Sequence, residues 1–473
     1  MEGSAEGRQI FMVACLAQKA KKYAMARAAW EQYIAIRPFD PKAYYNRGVC
    51  IDALGEKGAA LSSFEKAFEL QPSLADAGAN AAGLLIQTGE VDRACTLCYR
   101  ALDGNPDCAA ALYNLNTALR MAGRPREAIA LSWRWIRERL PAGTPSHASA
   151  VSLETLAAAS SSNSEDGPNP RPSAVATTRA ELPSFCGSIG GFESEVGKRM
   201  VCAEDCSAEG SAAKEHDADG SSCVTVVCIR WGPKYGPEYV ERLAAGVRRN
   251  LRRDHRFVCY TDDVEALSEM PGVVARPLGS ARCGEWRGWW HKAFLFSRET
   301  TLAGRVVYID LDTVIADSLD DIAGYAGPFA VLSAEGMANE RRPGGLNSSV
   351  MSWDAGGEVN TVQPVHDLLK EAYAVVTACV HKFDHWLEMA VPSARTLQRA
   401  FPDQIVEYTS LRLAAAAGVN DAEAGNFMLP QLPQGARIVC FPLEPKPHNV
   451  NEDWLRQMWL GGNRVRKYRM RLL

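Results

Sequence analysis

Arg305-Val-Val-Tyr-Ile-Asp-Leu-Asp-Thr-Val-Ile315 is the stretch on which the fold turns. Its apolar, β-branched run reads as a buried strand ending in two acids. Two carboxylates flanking Leu311 at the end of such a run are costly to leave without partners. Alternate residues of a strand point the same way, so Asp310 and Asp312 are expected to converge on one oxygen-seeking cation. Carboxylates together with substrate phosphates suit Mn2+ or Mg2+. The pair also reads as a strand terminus whose acids are solvated or cap the next turn. Spacing alone leaves both readings open.

The neighbouring sequence alternates strands with helices. Val224-Thr-Val-Val-Cys-Ile229 reads as a first strand, followed by the turn-rich loop Trp231-Gly-Pro-Lys-Tyr-Gly-Pro237. Apolar spacing predicts a helix from about Glu238 to Leu251. Phe257–Tyr260 and Val273–Pro277 read as further strands, and Gly288–Phe296 as a helix. This pattern argues for an α/β domain with a mainly parallel sheet. Ligands of such sheets gather at the carboxyl ends of the strands. The loops Trp231–Gly236, Thr261–Asp263 and Asp310–Thr313 are therefore expected along one edge.

Upstream the chain repeats itself. Pro38, Pro72 and Pro106 are spaced 34 residues apart, as are Gly55, Gly89 and Gly123. Ala26, Ala60, Ala94 and Ala128 keep the same step, and so do Asn46, Asn80 and Asn114. Each unit reads as two helices, for example Ala43–Leu54 and Lys57–Leu70, with Gly55 between them at a left-handed turn. The small alanines suit close helix–helix approach. Cys98 falls in phase with Phe64 and Trp30, so Cys95 and Cys98 are read as core residues rather than a metal or redox pair.

Residues 141–222 differ again, with 15 serines and only Phe185 and Phe192 as aromatics. Such a segment buries too little to offset its ordering entropy and is expected to be a disordered linker. One short ordered piece is expected near Leu182–Val196. Cys202, Cys206 and His216 lack a recognisable metal spacing. The expected division is thus repeats over 1–140, linker over 141–222 and α/β domain over 223–473. The net charge is −4, which argues against a phosphate-backbone binder. Fourteen cysteines in 473 residues do not make a disulfide framework. No secretory signal or spanning apolar run is recognised, so a cytoplasmic protein is expected. The basic stretch Arg464–Arg471 reads as a solvated tail or an attractor of anions.

The upstream units resemble a tetratricopeptide-repeat array. The downstream region resembles metal-dependent glycosyltransferases of the GT-A (Rossmann-like) fold, in particular the glycogenin-like branch and bacterial enzymes that join such repeats to such a domain. The resemblance rests on seven pieces in order: Trp231–Pro237, Tyr260–Asp263, Gly288–Lys292, Tyr308–Thr313, Asn347–Met351, Asp403-Gln404 and Pro445–His448. It implies a nucleotide-sugar donor, with a UDP-sugar favoured, and a hydroxyl acceptor on a glycan or protein, with the repeats recruiting acceptor or partner. It places Asp310 and Asp312 on the metal and, with Asp403 and Gln404, in the catalytic centre. Trp231, Tyr235, Thr261, Asp262, Lys292, Asn347, Ser348 and Lys446 would contact donor or substrate. The family commonly supplies a third metal ligand, a histidine before the Lys-Pro pair. Cys440 or Pro442 stands there, and His448 is the substitute this chain offers.

Two rival readings use the same residues. One is a non-catalytic repeat adaptor carrying a degenerate transferase domain. The other is a haloacid-dehalogenase-like phosphatase, in which Asp310 would be the nucleophile and Asp312 the acid/base. That motif normally ends the first strand of its domain.

Overall fold

The structure, a computed structural model, describes residues 5–159, 223–278, 286–300, 302–338, 344–355, 362–417 and 431–460. Leu182–Val196, Cys202, Cys206, His216 and the basic stretch after 460 lie outside the described residues.

The chain begins with paired helices: α1 (Ala5–Lys19), α2 (Tyr23–Ile36), α3 (Pro41–Ala53), α4 (Lys57–Leu70), α5 (Ala75–Thr88), α6 (Val91–Gly104), α7 (Ala109–Met121) and α8 (Pro125–Arg139). The 34-residue period is the period of these pairs. Ala26, Ala60, Ala94 and Ala128 are fully buried where neighbouring helices meet. At Gly48 a Cβ would lie 2.8 Å from the Phe64 ring, so this crossing admits only glycine without a shift. Gly89 adopts a φ of 82° at the C-terminus of α5, the left-handed cap that ends the helix. Cys95 and Cys98 are buried in the core of their unit.

A ninth helix, α9 (Pro145–Ala159), follows. This corrects the expected linker, whose first part is ordered. Thr144 explains the start, its Oγ1 accepting a hydrogen bond from His147 N at 3.2 Å. Ala150 and Leu153 are buried and give the helix its anchor. Serine content alone misses these two inward positions.

The second part is an α/β unit. Strands β1 (Val224–Arg230), β2 (His255–Thr261), β3 (Val274–Pro277) and β4 (Arg305–Ile309) are followed by β5 (Val314–Ile315), β6 (Ala330–Ser333) and β7 (Leu346–Asp354). The last strands are β8 (Arg395–Thr396), β9 (Ile405–Glu407) and β10 (Ile438–Cys440). The large sheet has the order β3-β2-β1-β4-β7-β6-β8, and β5-β10-β9 form a small one. β3, β2, β1 and β4 run parallel, while β7 runs antiparallel to β4 and β6. β1 is buried along its whole length, as a strand covered on both faces must be. Helix α10 (Pro237–Asn250) covers one face through Val240, Leu243 and Val247.

One hydrophobic cluster spans the two parts, joining Leu112, Trp133 and Ile136 to Val365, Leu369 and Trp386. Helix Gln363–Cys379 packs against α7, α8 and α9. Trp133 of α8 meets Trp386 with ring centroids 5.5 Å apart, and both rings are fully buried. Trp386 Nε1 also donates to Val365 O at 3.1 Å. Tyr113 of α7 packs edge-on against His381. A buried ion pair joins Arg120 to Glu388 across this junction. Among the described residues no helix is long and apolar enough to cross a membrane.

Because this cluster is shared across the junction, the end of the array and the sheet should unfold in one cooperative transition. Trp386→Ala should lower stability by about 3–5 kcal/mol. Urea denaturation followed by circular dichroism should then show the single transition splitting in two.

Candidate functional site at the carboxyl edge of the sheet

Parallel pairing brings Arg230, Thr261 and Ile309 to one edge of the sheet. The loops after β1, β2 and β4 therefore meet there, as expected. Two of them are stitched by their own residues. Gly232 N donates to Asp262 Oδ2 at 2.8 Å. Thr261 is fully buried, its hydroxyl accepting from Asp263 N at 3.1 Å and from Arg230 Nη1 at 3.3 Å. Arg230 Nε also donates to Tyr235 O at 3.1 Å. Asp262 and Thr261 thus shape the edge from within. Arg230 was not singled out in the sequence. Its signal is a cation closing an apolar strand.

The acid motif does not continue its strand. β4 stops at Ile309, and Asp310 N makes one more bond, to Ser349 O at 2.8 Å. Thr313 N then donates to Asp310 O at 3.1 Å and closes a turn over 310–313. The alternation expected of a strand is replaced by a turn, which needs no apolar signature and so is invisible to periodicity. The charges of both acids still act on the same two groups, Tyr235 and Cys440.

Each carboxylate has an ammonium partner. Lys292 Nζ lies 2.9 Å from both oxygens of Asp310. It also donates to Ser348 O at 3.2 Å and Ser348 Oγ at 3.1 Å. Tyr308 OH donates to Asp310 Oδ1. Lys446 Nζ lies 2.7 Å from Asp312 Oδ2 and donates to Phe441 O at 2.8 Å. Tyr235 OH donates to the same Asp312 oxygen at 2.7 Å. Burial first, and the Asp312 charge second, push the Tyr235 phenol up, so it remains a donor. Gly288–Phe296, which carries Lys292, is a 3-10 rather than an α-helix.

The other expected residues divide. Trp231 is 38% exposed and stacks on His291, with centroids 5.2 Å apart. Asn347 is buried at the start of β7, its Oδ1 accepting from Ser349 N at 3.0 Å. Asp403 and Gln404 do not join the acids. Gln404 O accepts from Arg437 N, and Ala316 N donates to Arg437 O, which puts Gln404 at the end of the small sheet where β5 leaves. Asp312 enters β5 at the opposite end, where Cys440 pairs with Glu407. Asp403 is exposed and turns the chain there at a φ of 61°. Glu407, buried and accepting from Ser410 Oγ at 2.6 Å, is the acid nearer the site.

The residues at the expected third-ligand position are engaged as follows. His448 is exposed and bonds through Nδ1 to Tyr239 OH. Cys440 is fully buried, and burial keeps its thiol protonated. Among the described residues no three His, Cys, Asp or Glu side chains are grouped to hold a metal ion. The donor set is two carboxylates. It fits a hard cation that takes its remaining oxygens from substrate and water.

No protein-family model matches this sequence, and no curated protein does. Among solved structures it is similar to MamA residues 41-end from Desulfovibrio magneticus RS-1, at 15% identity and a TM-score of 0.26, over 35% of this chain and all of that one. The Sgt2 tetratricopeptide-repeat domain from Aspergillus fumigatus gives 18% identity and a TM-score of 0.24, covering 26% of this chain and 83% of that one. A Thermobaculum terrenum O-GlcNAc transferase mutant gives 17% and 0.28, over 58% of this chain and 42% of that one. At these scores the likeness carries nothing about this chain's chemistry.

Burial holds the His291 imidazole below its ordinary value. As pH falls, the unfolded chain takes that proton first. Stability should therefore be level above about pH 6.5 and decline below it. His291→Asn should reduce that decline between pH 7.5 and 5.5, read as the shift in urea midpoint.

Proposed function

We propose that this chain is a glycosyltransferase that takes a sugar from a nucleotide-sugar donor to a hydroxyl acceptor. The observation that carries the reading is the pair of acids, each held by a lysine ammonium, at the carboxyl edge of a largely parallel sheet. The crevice at that edge is where open α/β sheets receive their ligands. The exposed Trp231 ring offers a face for a nucleotide base. Lys292 and Lys446, which hold the two acids, would also meet the donor's diphosphate and follow negative charge as it develops on the departing nucleoside diphosphate. Asn347 and Ser348 would contact the donor sugar. Asp310 and Asp312 would hold Mn2+ or Mg2+, which when bound offsets diphosphate charge. The GT-A assignment belongs to this proposal. The repeats would recruit the acceptor or a partner protein.

One observation favours a second reading. The carboxylates, each already held by a lysine, also suit a repeat adaptor whose transferase domain has decayed. The phosphatase reading loses ground, since Asp310 follows the fourth strand and its carboxylate is held by Lys292.

A thermal-shift screen of UDP-, GDP- and ADP-sugars, with and without Mn2+, tests the proposal. A donor at 100 times its Kd should add about 2.7 kcal/mol of stability. Asp312→Asn should abolish that shift and lower transfer by about 100-fold or more. Full transfer by this variant would sink the assignment. No shift with any donor would favour the adaptor.

A further inference from the structure

β7 carries a bulge beside the acids. Leu332 pairs with Asn347 but Val331 pairs with Met351, so Ser348, Ser349 and Val350 stand between without partners in β6. A bulge leaves N–H groups that the ladder does not take, and buried N–H groups need acceptors. On helix Phe383–Ala390, Asp384 supplies one for the bulge, and Glu388, one turn on, holds the residue just ahead of it. Asp384 Oδ1 accepts from Ser348 N at 2.9 Å, and Glu388 Oε1 accepts from Leu346 N at 2.9 Å. On the other side Lys292 holds Ser348, and Asp310 N holds Ser349 O.

The second oxygen of Glu388 takes Arg120, which comes from the repeats. Both side chains are deeply buried, 7% and 6% exposed. Arg120 is itself aimed, its Nε donating to Asn116 Oδ1 at 2.8 Å. Asn116 in turn donates to Ser132 Oγ at 2.6 Å and to Ala128 O at 3.2 Å. A continuous polar line thus runs from the fourth helix pair to the floor of the candidate site.

We propose that Arg120 is a positioning residue for that site. By holding Glu388 it sets Leu346–Ser349, and through this segment the places of Lys292 and Asp310. The last repeat is then part of the site's scaffold as well as a recruiting surface. Without the guanidinium, Glu388 loses a charged partner inside the core, and the carboxylate that accepts from Leu346 N is no longer held from the repeats. Only the affinity readout below rests on the nucleotide-sugar reading.

The test compares the full chain with Arg120→Gln and with the double variant Arg120→Gln/Glu388→Gln, which removes the carboxylate's charge together with the guanidinium's. Hydrogen exchange is read at the amides of Leu346 and Ser348, and Kd by titration with UDP plus Mn2+. Arg120→Gln should speed exchange at these two amides while β1 and β2 keep their protection, and should raise Kd about tenfold. The double variant should fall between it and the wild type on both measures. Unchanged exchange at Leu346 and Ser348 overturns the proposal. So does acceleration spread equally over β1 and β2, which would mark lost stability alone. If Arg120→Gln does not fold, the double variant must still show faster exchange at the two amides than the wild type. Unchanged exchange there overturns the proposal equally. If the wild type binds no UDP, the glycosyltransferase reading loses its support, and the exchange comparison still decides the role of Arg120.

Discussion

Neutralising charge at a poorly hydrated strand end is the constraint on which this molecule is arranged. Asp310 and Asp312 follow a strand that is buried from Val306 to Ile309. Leaving them bare would cost more than a small surface pair ever returns. Lys292 arrives from a 3-10 helix and Lys446 from the loop after β10, so two distant segments are committed to one turn. Tyr308 and Tyr235 complete the set with neutral donors. The 3-10 helix, the loop after β10 and the bulged part of β7 all contact the turn that carries these two carboxylates. The same exchangeable charges suit the edge to an anionic ligand, because ammonium groups that hold carboxylates can also meet phosphates.

The helical array is bound into this arrangement, not hung beside it. Trp133 against Trp386 supplies apolar area, and Arg120 against Glu388 supplies direction. An apolar contact alone tolerates sliding. A buried ion pair tolerates little, since displacement leaves two charges without partners. The pair therefore specifies register between the two parts, while the tryptophans supply most of the adhesion.

Much of this was legible before any coordinates. The 34-residue period gave the helix pairs, because glycine, proline and alanine each have a local geometric job that recurs once per unit. The run Val224–Ile229 and the helix after it were readable from apolar period alone. The acids were flagged by cost: charge next to an apolar run demands an explanation. What escaped detection was set by distance or by backbone detail. Arg120 and Glu388 are 268 positions apart, and neither stands out in its own helix. The turn over 310–313 and the bulge in β7 depend on hydrogen bonds that leave no compositional trace. Asp403 and Gln404 were placed by resemblance, and the small sheet's pairing carries them to its far end. Helix α9 was hidden by its serines, with Ala150 and Leu153 too few to mark a face.

The junction also sets the direction in which this architecture can grow. Helices α7 to α9 are sealed by Gln363–Cys379, whereas Phe11, Met12 and Leu16 of α1 remain open to solvent. A further 34-residue unit inserted ahead of α3 would lengthen the array and leave the junction untouched. The same unit inserted between Arg120 and α9 would carry the guanidinium away from Glu388 and unseat the sheet. Duplication, the ordinary way repeat proteins change length, is thus permitted at one end and penalised at the other.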